Sequence, residues 1–146
     1  MGYCVDWDLK IQVPKNNVQK ALDAINELMK PENVKKNGRG GSWSHGGQTD
    51  WWYSWVSTPP DNKYNSLKEA FVGWGFNAKE REDGSVTVNS CYNEKLGQEE
   101  LFLEAIARYV TDDSSIYVHG EDGANWRWVF KNGHLIEQQG RVIYEE

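Results

Sequence analysis

Residues 115–144 read SIYVHGEDGANWRWVFKNGHLIEQQGRVIY, three short strands joined by two turns. Ile116 and Val118 alternate with Tyr117 and His119 until Gly120-Glu121-Asp122-Gly123 breaks the run. Trp126, Trp128 and Phe130 then alternate with Arg127 and Val129, and Asn132-Gly133 supplies the second turn. Asn-Gly between alternating runs is a strong hairpin signal, because both central residues of a type I′ turn need φ > 0. Three strands with one aromatic face are enough to seed a sheet.

Working back toward the N-terminus, residues 98–110 carry a helical stripe of Leu101, Phe102, Ala105, Ile106, Tyr109 and Val110, opened by Glu99-Glu100. Residues 77–92 predict a hairpin about Asp83-Gly84 with Val86 and Val88 facing in. Ser66-Leu67-Lys68-Glu69 is a capping box for a helix that buries Leu67, Ala70, Phe71 and Trp74. Trp51–Val56 reads as a strand closed by Pro59-Pro60, and residues 32–49 as irregular, with only Trp43 able to pack a core. Val18, Ala21, Leu22, Ile25, Leu28 and Met29 mark another helix, capped by Asn16-Asn17 and stopped by Pro31. Residues 3–13 alternate Tyr3, Val5, Trp7, Leu9, Ile11 and Val13 against polar residues, the pattern of a half-buried strand. The order β-α-β-α-β-β-α-β-β-β lacks regular strand–helix alternation. It predicts one α+β domain over residues 1–146, a mainly antiparallel sheet with about three helices covering one face.

A net charge of −6 argues against a general nucleic-acid binder and suits a partner with a basic surface. The opening MGYCVDWDLKIQV lacks the pattern of a signal peptide, no apolar run is long enough to span a membrane, and Asp6 fails the myristoylation motif. Cys4 and Cys91 match no metal or redox spacing, and reduced thiols in a cytosolic protein are expected.

Asp6 and Asp8 lie two apart on a strand, so both carboxylates point one way and could share a metal with Glu121, Asp122 or His119; a solvated strand face, which alternates polar residues in any case, is the simpler explanation. The Gly120–Gly123 turn has glycines suited to an approaching anion, but Glu121 and Asp122 oppose that use. Arg127 should emerge opposite Trp126 and Trp128, to pair with an acidic neighbour or to bind a carboxylate or phosphate. His45, His119 and His134 show no metal-binding spacing, and no motif sets a base beside Cys4 or Cys91. The segment 37–49, with five glycines, Arg39, Trp43 and His45, is no phosphate loop, yet a long loop in a domain of this size is a functional candidate.

Glu94-Lys95-Leu96-Gly97, the helix after it, and Gly120-Glu121-Asp122-Gly123 followed by Trp126-Arg127-Trp128-Val129-Phe130 resemble small uncharacterised proteins of phages and mobile elements. The resemblance implies a phage accessory protein in the cytoplasm of a bacterial host, of the kind that binds and blocks a host factor, including CRISPR effectors. The leading expectation is thus a non-enzymatic protein-binding module without cofactor, making contact through Arg39, Trp43, His45, Trp51 and Trp52. A second is a nucleotide binder using Trp43 with Arg39 or Arg127, and a third a metal-dependent enzyme built on Asp6, Asp8 and Glu121.

Overall fold

The computed structural model describes residues 2–43, 49–141 and 143–144. Along the chain these form β1 (Val5–Val13), α1 (Lys15–Leu28), α2 (Pro31–Asn37), β2 (Arg39–Trp43), β3 (Thr49–Trp52), α3 (Leu67–Gly73), β4 (Phe76–Glu80) and β5 (Val86–Cys91). They continue as α4 (Glu99–Ile106), β6 (Ser115–Gly120), β7 (Asn125–Lys131) and β8 (His134–Gln139). Six strands make one antiparallel sheet in the order β4-β5-β1-β6-β7-β8, and β2 and β3 pair separately. The chain has the expected α+β fold.

The strand β1 is central because its period-two pattern gives it one fully apolar face. Val5, Leu9, Ile11 and Val13 are buried while Asp6, Asp8 and Lys10 are exposed. Its N-terminal part pairs with β6 and its C-terminal part with β5. The β7–β8 hairpin turns at Asn132 (φ 52°) and Gly133 (φ 79°), the two positive values that a type I′ turn requires. The apolar stripes of α1 (Ala21, Leu22, Ile25), α3 (Leu67, Ala70, Phe71) and α4 (Phe102, Leu103, Ile106) are buried in one cluster with the apolar sheet face. At its centre Phe102 packs against Phe71, Trp74 and Phe76 at ring-centroid separations of 5.1, 5.2 and 5.6 Å. The opposite sheet face is open, with Asp6, Asp8, Lys10, Tyr117, His119, Arg127 and Lys131 exposed on it.

Several local expectations give way. Pro31 does not merely stop α1: it opens α2 as an N-terminal residue, where its missing N–H is harmless. Segment 32–49 is not irregular over 32–43: Glu32 in the first turn and Lys35 and Lys36 in the last complement the dipole of α2, Val34 is buried, and Arg39–Trp43 form β2 paired with β3. The strand expected over 51–56 ends at Trp52, because Trp55 takes a left-handed backbone conformation. Asn16 and Asn17 do not cap α1, which starts at Lys15; the Asn17 side chain instead donates to the Tyr109 carbonyl at 3.2 Å. Ser66 does cap α3, accepting from the Glu69 N–H at 3.1 Å, while Glu69 reaches back to the Asn65 N–H at 3.3 Å.

Candidate functional site

The segment after β3 is built to hold its neighbours still. Tyr53 is buried; its hydroxyl donates to the Leu28 carbonyl at 2.7 Å and its ring lies 5.1 Å from that of Trp74. The Ser54 N–H donates to Gln98 Oε1 at 3.0 Å, and Gln98 Nε2 donates to the Asn37 carbonyl at 2.9 Å. One glutamine at the start of α4 thus ties the end of α2 to the turn beyond β3. The Ser57 N–H donates to the Gly73 carbonyl at 2.8 Å.

Between these anchors sits Trp55 at φ 63°, a conformation that is an outlier for a bulky residue and costs on the order of 1–3 kcal/mol. Its ring is turned outward. Trp51, Trp52 and Trp55 are 40%, 38% and 51% exposed, although tryptophan is on average highly buried. Trp55 and the exposed Tyr92 line a shallow groove of about 280 Å³ with Asn93, Glu94 and Lys95, whose ammonium stands 5.3 Å from the Trp55 ring centre.

The 92–97 segment under this groove is fixed by a buried acid. Glu99, 1% exposed, accepts from Asn93 Nδ2 at 3.1 Å and from the Gly97 N–H at 2.8 Å. Burial pushes its carboxyl above the ordinary range, against the opposing pull of those hydrogen bonds. Gly97 has no room for a side chain: a Cβ there would lie 2.6 Å from the Ser54 carbonyl oxygen and 2.9 Å from the Trp55 ring.

Of the residues expected from the sequence, Arg39, Trp51 and Trp52 are exposed on the β2–β3 hairpin, with Arg39 and Trp52 as cross-strand partners. His45 and the Trp43 side chain lie outside the described residues. Trp55 belongs to the aromatic run 51–55 that the sequence offers as a contact surface, whereas Tyr92 and Lys95 carry no such signal. The sequence around Trp55 has no glycine or Asn-Gly to flag a left-handed residue, and Tyr92 and Lys95 come from a segment separated from it by over thirty residues.

Glu121 and Asp122 have structural partners. Glu121 accepts from the Cys4 N–H at 3.0 Å, and Asp122 accepts from the Tyr3 hydroxyl and from the Ala124 N–H at 3.0 Å. The Tyr3 hydroxyl is pushed up to about 12 chiefly by that bond, and the Asp122 carboxyl is lowered by it. Arg127 finds no acidic strand neighbour; its cross-strand partners are Tyr117 and Gln138. Asp6 and Asp8 face out, but among the described residues no three His, Cys, Asp or Glu side chains gather closely enough to hold a metal ion. His119 and His134 do not converge, lying toward opposite ends of the β6–β7–β8 sheet. The Cys91 thiol is pushed up to about 12 by burial, which keeps it protonated and a poor nucleophile. Among the described residues no helix is long and apolar enough to cross a membrane.

Compared with family models, curated proteins and solved structures, the chain matches none.

Proposed function

We propose that this protein is a non-enzymatic binding module that docks a protein partner through the aromatic residues of the β2–β3 hairpin and the turn after it. The observation that carries this reading is the exposure of Trp51, Trp52 and Trp55 within five residues of chain, on a segment anchored by Tyr53, Ser54 and Ser57. Large rings held ready in water are the residues that dominate interface energetics, and holding them rigid in advance lowers the entropy cost of association. Arg39 and Lys95 at this surface add positive charge to an otherwise acidic molecule, so the contact combines apolar area with steering. The resemblance of residues 94–144 to phage accessory proteins supports a host factor as partner, such as a nucleic-acid-processing defence effector.

The test is affinity capture from a bacterial host lysate with the intact chain beside a variant shortened between residues 38 and 47. A specific protein retained by the first and lost with the second supports the reading. A protein retained equally by both removes the hairpin from it.

A further inference from the structure

A second groove, larger than the one beside Trp55, lies on the open face of the sheet. Its volume is about 530 Å³, and Tyr117, His119, Asn125, Arg127, Gln138 and Gln139 line it. Sites for small organic ligands typically span about 300–1,000 Å³. Although the chain carries a net charge of −6, no carboxylate among the described residues lines this groove. Its floor follows from strand register: Tyr117 on β6, Arg127 on β7 and Gln138 on β8 are consecutive cross-strand partners on the helix-free face.

That row orients the arginine. Arg127 Nε donates to Gln138 Oε1, and the guanidinium carbon stands 5.9 Å from the Tyr117 ring centre, with Nη1 3.5 Å from the Tyr117 hydroxyl. The guanidinium is therefore held by neutral neighbours. Among the described residues the sole ion pair is Lys30–Glu27, so Arg127 keeps its charge uncompensated by any carboxylate at bonding distance. One strand along, His119 Nδ1 pairs with Asn125 Oδ1 at 2.6 Å, which fixes the ring and leaves Nε2 free of that contact. The groove thus offers an oriented arginine fork, amide and imidazole groups, and a half-exposed phenol ring. A planar fork without a carboxylate suits bidentate contact with an oxyanion, and the ring offers a stacking surface to a flat ligand.

The acidic groups nearby give the site a polarity. Asp6 and Asp8, the β1 partners of His119 and Tyr117, lie on the same face, one strand beyond β6. They are two strands from Arg127, roughly 10 Å at the usual strand spacing. An anionic end is favoured over β7 and β8, and a hydrogen-bond-donating end toward β1.

We propose that this groove binds a nucleoside monophosphate, with its phosphate on Arg127 and Gln138, its base against Tyr117 and the base amino group toward Asp8. The site is separate from the aromatic hairpin, so either can stand without the other. The experiment is calorimetric titration of the intact protein with AMP and CMP, beside adenosine and inorganic phosphate. Saturable one-site binding of a nucleotide is expected, weakened at least tenfold by Arg127→Gln and by Tyr117→Ala. Arg127→Lys, which keeps the charge and loses the fork, should also weaken it. Unchanged melting temperatures of the variants establish that they fold. Absence of saturable nucleotide binding at millimolar concentration overturns the proposal, as does binding indifferent to Arg127→Gln. Inorganic phosphate bound as tightly as the nucleotide overturns the role given to Tyr117.

Discussion

Glu99 is the residue whose chemistry reaches furthest into the fold. Because burial raises its pKa, the folded chain holds its proton to higher pH than the unfolded chain does. Stability from this group is therefore full at low pH. It falls as pH rises past the unfolded value of about 4.3 and through the raised folded value. Glu99→Gln removes that titration, so the melting temperature of the variant relative to the parent should rise as pH increases above the unfolded value. A difference that stays constant across the range would show that Glu99 does not titrate in this way. Asp122 has the opposite sign: its lowered pKa stabilises the fold above the unfolded value and is lost as pH falls through the folded one. Tyr3→Phe should accordingly flatten the acid side of the stability profile, as read by thermal unfolding. In the core, Phe102→Ala empties the space between Phe71, Trp74 and Phe76 and should cost about 3–5 kcal/mol in denaturant unfolding.

At the scale of elements, legibility followed period and turn chemistry. The strands β1, β6 and β7 were readable because alternation maps directly onto burial, and the β7–β8 turn because Asn132-Gly133 admits one conformation easily. The helix α2 is not legible although Pro31, Glu32, Lys35 and Lys36 spell its ends; about two turns with a single buried residue, Val34, make no periodic stripe. Trp55 was read as strand because its conformation is imposed by tertiary anchors at Tyr53, Ser54 and Ser57, not by local propensity. The aromatic site was half legible for the same reason: Arg39, Trp51 and Trp52 could be named, but Tyr92 and Lys95 reach Trp55 only through the fold. Two glycines test these packings. At Gly38 a Cβ would lie 2.5 Å from the Trp52 carbonyl oxygen and 2.6 Å from that of Val34, so Gly38→Ala should separate α2 from β3 and lower the melting temperature. Gly97→Ala should displace Trp55, visible as a changed tryptophan emission, with a smaller loss of stability.

For the whole molecule, one sheet presents two surfaces of different character. Helices cover one face and their connections carry the exposed aromatics, whereas the other face carries the arginine groove. Rigid anchoring of Trp55 by residues from α2, α3 and α4 makes the aromatic site a property of the assembled fold. The most direct measurement is the affinity of the captured partner, once purified, for the parent chain and for Trp52→Ala and Trp55→Ala, with Tyr117→Ala on the far face as control. Losses above about 2 kcal/mol for the two tryptophan variants, with the control unchanged, are the expected result. Equal affinity for all four chains would contradict the account.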